Sequence, residues 1–464
     1  MSLSITDEIV TFLLQKKRIP QSVIQQSLIH VIDGLAVMLA GARRNSSKKL
    51  VQILYEPQHK GESTFIGFSV KGRAADAALI NGTSGHADDY DDTQLSTVPD
   101  RIYGLLTHPT VPVLASVLAL GERAAASGRD VLNAFIRGFE VECKLAEAIR
   151  PQHYQQGFHT TGTIGAFGAC AAGSQLLHLE ESSLRCALGI TASLSSGIRI
   201  NFGTMTKPLH AGMAAFNGVT ACLLAQQGFT ADQMALDSEW GFMQVLGGGW
   251  EPERIIGKLG NPFSLVTPGA SIKIYPCGSL GQPTMYALQH IVQEENLHPH
   301  KVREIRVRAG PNILAPLRYT HPDNELEAKF SLQFGLACIL VRRHAGLDDY
   351  TSSTVHDPVI RETMLKVKPM LDPGISNMGV EKMRSILEIE LNNHRVITQF
   401  VDSIPGTPED PLKKHDLQHK FCECAAYTLS EQRVNAVFNM IQNIRTLKEI
   451  NQLTSLFIHT HEWN

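Results

Sequence analysis

Apolar positions recur with a helical period through the first part of the chain. Up to about Pro268, alanine-rich apolar segments are joined by short loops that contain glycine, proline or aspartate. Helical spacing resumes after the proline-containing stretch 404–408. This pattern predicts helices in residues 1–268 and again in residues 405–464, with the last segment packing back on the first part.

The middle of the chain has a different pattern. Residues 302–308 and 386–391 alternate apolar and charged side chains, and the second stretch continues through Asn392 and Asn393 into Val396, as expected of a hairpin. We therefore expect residues 269–404 to form an α+β section. The fold class that follows is mainly α.

Length and composition limit the possible functions. At 464 residues the chain exceeds the roughly 250–300 residues at which a single core stops growing, so we expect two domains. A net charge of -3 without long runs of one sign argues against a nucleic-acid partner. Polar residues interrupt every apolar run, which argues against a membrane span. Eight cysteines scattered through apolar segments favour reduced thiols and a cytoplasmic location.

One arrangement occurs three times: a polar loop with His or Lys leads directly into a helix rich in glycine and alanine. The loops carry His108, His159, and Lys207 with His210. Small residues let helices pack closely, so their N-termini can converge and offer N–H groups to a carboxylate. A histidine there is biased toward the neutral form, which can act as a base, and Lys207 can hold negative charge. The alternative is ordinary packed helices whose histidines make structural hydrogen bonds.

Four aspartates lie in the short window 86–93 (HADDYDDT). This density raises the hypothesis of a metal site, but the EF-hand spacing and the usual zinc patterns are absent. We therefore expect no metal. The alternative, a solvated acidic loop that caps a helix, suits Asp88 and Asp91 but suits the entire cluster beside Thr93 less well.

These residues belong to a longer pattern. The sequence resembles the MmgE/PrpD family, which includes 2-methylcitrate dehydratases, cis-aconitate decarboxylases and an iminodisuccinate epimerase. The resemblance covers nearly the whole chain and rests on six ordered motifs: residues 89–93 (DYDDT), 107–109 (THP), 157–159 (GFH), 203–212 (GTMTKPLHAG), 275–278 (YPCG) and 327–331 (EAKFS).

The resemblance implies a large all-helical domain, 1–268 completed by 405–464, with a smaller α+β lid domain, 269–404, inserted near the middle. It also implies a homodimer, a small polycarboxylate substrate, and no metal or organic cofactor. The implied catalytic residues are Asp89, His108, His159, Lys207 and Tyr319, and the implied substrate contacts are Thr93 and Lys273. His210, from the third polar loop, is a further expected substrate contact.

The family theme is charge development at the carbon next to a carboxylate. We expect dehydration of the 2-methylcitrate dehydratase kind, with cis-aconitate decarboxylation or iminodisuccinate epimerisation as the alternatives and a non-catalytic member as a third possibility. Two departures bear on this choice. Residues 94–106 form a longer connection than decarboxylase-like members have, and Gly278 stands where some decarboxylases place a histidine.

We interpret Cys277 as a structural thiol, because no cysteine spacing typical of an iron–sulfur cluster accompanies it.

Overall fold

The computed structural model describes residues 4–15, 17–58, 60–96, 100–101 and 103–458. Helices dominate this part of the chain, so the mainly α prediction is confirmed. The helices before residue 250 are α1 (Ile5–Leu14), α2 (Gln21–Ala42), α3 (Asn45–Leu54), α4 (Ala74–His86), α5 (Thr110–Arg123), α6 (Gly128–Ala148), α7 (Gln152–Gln155), α8 (Thr160–Thr163), α9 (Gly165–Leu176), α10 (Glu181–Leu194), α11 (Thr206–Gln226) and α12 (Phe242–Val245).

Shorter helices and the main sheet follow. The later helices are α13 (Gln282–Glu294), α14 (Pro311–Leu314), α15 (Glu325–Ala328), α16 (Leu332–Arg342), α17 (Ser352–Val355), α18 (Pro358–Met364), α19 (Pro373–Ser376), α20 (Lys414–Ala425), α21 (Glu431–Gln442) and α22 (Asn451–Thr454). The strands are β1 (Ser63–Thr64), β2 (Lys71–Gly72), β3 (Thr93–Gln94), β4 (Ala270–Ser271), β5 (Val302–Ala309), β6 (Val367–Leu371), β7 (Ser385–Leu391) and β8 (Val396–Val401).

The middle section contains a four-stranded sheet of order β6-β5-β7-β8. Strands β5 and β6 are parallel, whereas β7 pairs antiparallel with both β5 and β8, so the predicted hairpin is confirmed. The alternation seen in the sequence separates the two faces of the sheet. Ile305 and Leu387 are buried on one face, while Arg306 on the other pairs with Glu388 and Glu390.

Small residues bring the helices of the first part into close contact. A Cβ on Gly82 of α4 would lie 2.8 Å from the Cα of Gly212 in α11. A Cβ on Gly218, further along α11, would lie 2.5 Å from the backbone nitrogen of Cys170 in α9. Helix α11 therefore approaches both neighbours at distances that only glycine allows, which fixes where its N-terminus lies.

The helices that follow residue 405 pack against helices near the start of the chain. Helix α20 packs against α2, and the Lys420 ammonium lies 2.6 Å from Asp33 Oδ1 of α2. One hydrophobic core holds residues of α2 together with residues 417–457, and a second holds residues from both sides of position 268. The domain boundaries at 268/269 and 404/405, and the inserted lid, stay predictions.

Two helices, α2 and α11, are long and apolar enough to span a membrane by length and composition alone. Their most apolar windows are 78% and 67% buried inside the protein, as in core helices of globular folds. All eight cysteines are free thiols.

Candidate functional site

The four aspartates that follow α4 are buried. Each is at most 3% exposed, so the solvated acidic loop is wrong. Their partners come from distant parts of the chain: Asp88 pairs with Lys329 and Arg44, Asp89 with Lys207 and Lys273, Asp91 with His86, and Asp92 with His30 and Thr110. Buried carboxylates without such partners would cost several kcal/mol each, so these contacts hold the loop in place.

Asp89 lies between two ammonium groups. Its Oδ1 is 3.0 Å from Lys207 Nζ, in the first turn of α11, and 2.7 Å from Lys273 Nζ, which follows β4. Lys273 also donates to the Asp89 carbonyl at 2.8 Å, and the φ of Asp89 is +52°, a left-handed conformation that aspartate tolerates. Burial alone would raise the pKa of Asp89, but the two ammonium groups outweigh it and hold this pKa well below its ordinary value.

His86, the last residue of α4, orients Lys207. Its Nε2 is 2.8 Å from Lys207 Nζ and its Nδ1 is 2.8 Å from Asp91 Oδ2. Because an ammonium group only donates, Nε2 accepts, and the ring proton on Nδ1 is donated to Asp91. Burial, reinforced by the charge of Lys207, lowers the pKa of His86 well below its ordinary value. His86 is therefore a neutral bridge whose two nitrogens are both engaged.

His108 lies just before α5 with a fixed tautomer. Its Nδ1 is 2.5 Å from the carbonyl oxygen of Asp92, so Nδ1 donates and Nε2 keeps the free lone pair. Its backbone N–H donates to Thr161 Oγ1 at 3.1 Å. Burial, together with the charge of Lys273, lowers the pKa of His108 well below its ordinary value. The result is a neutral imidazole that can accept a proton.

His159 and His210 form a hydrogen-bonded pair. Their Nδ1 atoms are 3.0 Å apart, so one ring donates to the other. His159 Nε2 is buried and has no hydrogen-bond partner among the described residues. Burial and then Lys207 lower the pKa of His159 well below its ordinary value and that of His210 to about 4. His210, predicted as a substrate contact, thus touches the neighbouring imidazole, and the pair can shift a proton between rings.

The structure brings His108, His159, Lys207 and Asp89 together around one small pocket of about 30 Å³. Ring centroids of His86 lie 4.8 Å from His108 and 5.7 Å from His159, so the imidazoles are contiguous. The remaining walls come from both predicted domains: Leu106, Tyr154, Phe202, Gly278, Ser279, Leu280, Pro316, Leu317 and Phe330. Of the long connection 94–106, residues 97–99 and 102 lie outside the described residues, and Leu106 is the part that lines this pocket.

The other predicted residues border this group. Thr93 Oγ1 lies 2.7 Å from Ser279 Oγ and 3.4 Å from His108 Nδ1. The Tyr319 hydroxyl donates to the Phe202 carbonyl at 2.7 Å and does not line the pocket, so its catalytic role stays a prediction. Burial raises the pKa of the Cys277 thiol to about 11, as expected of a structural thiol.

A metal ion is the alternative occupant. The ligand atoms of His86, His108 and His159 lie within 4.8 Å of one another, as do those of His86, Asp89 and Asp91. However, Lys207 Nζ already contacts both His86 and Asp89. An ammonium group at that position repels a second cation, so the electrostatics favour an anionic ligand.

Sequence reasoning missed the residues that hold this arrangement. Lys329 donates to the Ala87 carbonyl and to Asp88, both at 2.9 Å, and Lys420 donates to the carbonyls of Tyr90 and Lys273 at 2.9 and 2.8 Å. Lys329 lies within the EAKFS motif, which was a usable signal. Lys420 had none.

Comparison with known proteins identifies the family of this chain. The model of the MmgE/PrpD N-terminal domain matches residues 10–255, and that of the C-terminal domain matches residues 275–445. The cis-aconitate decarboxylase of Mus musculus is 27% identical over 96% of this chain and 91% of its own length. That of Homo sapiens is 27% identical over 82% and 78%, and that of Aspergillus terreus 26% over 94% and 92%. The chain belongs to the MmgE/PrpD family.

Proposed function

We propose that the protein is a lyase that removes CO₂ from cis-aconitate or a closely related unsaturated tricarboxylate. The observation that carries this proposal is the buried group of Lys207, Lys273 and Asp89 beside the neutral imidazoles of His108 and His159. The decarboxylase relatives favour this reaction over the dehydration expected from the sequence.

Lys207 is the group best placed to bind a substrate carboxylate. Its ammonium nitrogen has two hydrogen-bonding partners among the described residues, Asp89 Oδ1 and His86 Nε2, and the residue lines the pocket. Its third N–H can donate to a carboxylate, and α11 adds its positive N-terminal end. In a dry site such donors are worth more than in water, so they stabilise negative charge that develops in the transition state.

The chemistry then needs one proton. When the bond from the methylene carbon to its carboxylate breaks, CO₂ leaves, and the electron pair delocalises over the allylic carbons toward a retained carboxylate. The Nε2–H of His159 protonates the far allylic carbon, the Nδ1–H of His210 passes to His159 Nδ1, and solvent protonates His210 at Nε2. After product release, water protonates His159 Nε2, the proton on His159 Nδ1 moves back to His210 Nδ1, and His210 Nε2 gives its proton to solvent, which restores the starting tautomers. One proton enters for each CO₂ released, and no ring acquires a net charge.

Substrate entry requires the pocket to open. A volume of about 30 Å³ holds roughly one water molecule and not a six-carbon acid. Arg318 donates to the carbonyls of Ile200 and Phe202 at 2.9 and 3.1 Å, beside the Tyr319 contact. Because Phe202 lines the pocket, release of these contacts would let its wall move and admit a substrate.

A second candidate function is proton transfer without loss of CO₂, as in dehydration or epimerisation. The fixed lone pair on His108 Nε2 supports it, because α-proton removal needs a base. Gly278, at the position where some decarboxylases place a histidine, supports it as well.

One experiment separates these reactions. The protein is incubated in D₂O with cis-aconitate, 2-methylcitrate or iminodisuccinate, and the products are followed by NMR. Decarboxylation predicts CO₂ and a dicarboxylate with one deuterium at the protonated carbon. Loss of water from 2-methylcitrate, or deuterium exchange with racemisation of iminodisuccinate, without CO₂ from cis-aconitate, would contradict the decarboxylase proposal.

The proposal includes a homodimer, because of the family resemblance, and a cytoplasmic location, because of the scattered cysteines. Light scattering after size-exclusion chromatography tests the dimer: a mass near 102 kDa, about twice the 50.9 kDa of the chain, is expected.

A further inference from the structure

A second pocket lies where the connection between α1 and α2 meets α6 and the short helix Ile444–Thr446. Its volume is about 310 Å³, which is in the range of small-molecule sites. It is lined by Lys17, Arg18, Ile19, Gln21, Ile24, Asn133, Arg137 and Arg445, and it shares no lining residue with the catalytic pocket.

Four of its eight lining residues are cations and none is an acid. Within the described part of the chain, no carboxylate forms an ion pair with Lys17, Arg18, Arg137 or Arg445. Four cations around one cavity repel each other, so the pocket carries a local positive potential despite the slightly negative chain.

Arg137 is the buried member of this group. It is 9% exposed, and its guanidinium donates to the carbonyls of Phe12 and Gln15 at 2.7 and 2.9 Å. These bonds cap the C-terminal end of α1, so they satisfy donors but do not neutralise the charge. A buried cation without a counter-charge is costly, and an anion in the pocket would reduce that cost.

Two further features favour an anion. Arg445 Nε is buried and has no hydrogen-bond partner among the described residues. The 22-residue helix α2 begins in the pocket wall at Gln21, after Pro20, with no side-chain cap and no acid in its first turn. Its first N–H groups and its dipole add to the cation cluster.

We propose that this pocket is a binding site for a small phosphate-bearing polyanion, separate from the catalytic pocket. Guanidinium groups bind phosphate oxygens in bidentate fashion, and free N–H groups at a helix start bind them as well. Four cations in about 310 Å³ match a compact group with several negative charges better than an isolated carboxylate.

Inorganic pyrophosphate is the probe, and isothermal titration of the full-length protein is the measurement. The comparison is between the native protein and Arg18→Gln/Arg445→Gln, which leaves the Arg137 cap intact, with Lys368→Gln of exposed β6 as the matched control. We expect the double variant to weaken pyrophosphate binding at least tenfold and the control to leave it unchanged. Equal affinity in the native protein and the double variant would overturn the proposal.

Two additional measurements keep the test decisive. If the double variant does not fold, Arg18→Lys/Arg445→Lys should retain binding, and hydrogen exchange on the native protein should slow in a peptide spanning residues 18–26 when pyrophosphate is added. Unchanged exchange there would count against the site. Citrate is the second ligand: citrate binding that is lost in the double variant and stronger than that of pyrophosphate would overturn the phosphate assignment.

Discussion

The two pockets differ in how their buried charges are paired. We call the pocket that contains Asp89, His108, His159 and Lys207 the catalytic pocket, and the one lined by Lys17, Arg18, Arg137 and Arg445 the basic pocket. Around Asp89, ammonium, carboxylate and imidazole groups contact each other at 2.7–3.0 Å, and every ring is neutral by burial. Around Arg137, cations face a larger cavity without an acid. The first arrangement is organised before a ligand binds, whereas the second keeps its charges available for one.

This contrast separates two uses of electrostatics. Preorganised donors cost little reorganisation when charge develops, so they suit a site where bonds change. Unpaired cations raise the local concentration of anions and suit a site that only binds. Substitutions should therefore have different consequences in the two places.

The largest effect is expected for Lys207→Met. It removes a carboxylate-binding cation and one of the two ammonium partners of buried Asp89. We expect kcat to fall by roughly 10²–10³-fold. The unfolding free energy should also decrease, on the order of 3 kcal/mol. Steady-state kinetics and urea denaturation measure both. Lys368→Met, on exposed β6, is the control, and turnover of Lys207→Met within about threefold of native would contradict the assignment.

His159→Gln is expected to have the next largest effect. Glutamine keeps a polar group near His210 but cannot transfer a proton, so kcat should fall by about 10²-fold or more with little change in fold. Near-native turnover would reject His159 as the proton donor.

His210→Gln tests the relay separately. It leaves His159 Nε2 in the pocket but removes the neighbouring ring that accepts or supplies the proton at Nδ1. We expect a loss of roughly tenfold in kcat with a changed pH profile, because proton return to His159 becomes slow. A variant with raised KM and native kcat would instead support the original prediction that His210 contacts substrate.

Part of this site could be predicted from the sequence, because the residues next to a helix N-terminus determine where the helix begins. A polar loop before a run of glycine and alanine predicted that His108, His159 and Lys207 lie near helix N-termini. His108 lies just before α5 and His159 just before the short helix α8, whereas Lys207 lies inside the first turn of α11 and not in the loop before it. The partners of the aspartates could not be predicted in the same way. Lys273 is 184 residues from Asp89, and such pairings depend on tertiary packing that no local pattern records.

The fold shows the same limit. Period-two alternation identified β5 and β7, because one face of each strand is buried and the other is more exposed. Strand β8, which is mostly exposed, was predicted only as the hairpin partner that follows Asn392 and Asn393. The two-residue strands β3 and β4, whose pairing joins Thr93 to Ser271 beside the site, are too short to carry a periodic signal.

Histidine burial also predicts how stability depends on pH. His153 is fully buried, its Nε2 contacts Thr163 Oγ1, and burial lowers its pKa to about 4. Between pH 6.5 and about 4 the unfolded chain binds a proton on the His153 ring and the folded chain does not. The free energy of unfolding therefore decreases as pH falls through this range. Removing the ring in His153→Gln should lower the slope of unfolding free energy against pH by up to about 1.4 kcal/mol per pH unit. Identical slopes in the two proteins would contradict a depressed pKa.

The smallest effect is expected in the basic pocket. Arg445 forms no ion pair with a described residue, and its neighbours Arg18 and Arg137 carry the same charge, so Arg445→Gln removes repulsion along with a side chain. In low-salt buffer without phosphate, its unfolding free energy should lie within about 0.5 kcal/mol of native, or slightly above it. Added salt should reduce any gain, since screening weakens repulsion between exposed charges. A loss of more than about 2 kcal/mol would show that Arg445 has a structural role, and the contrast between a paired site and an unpaired one would then fail.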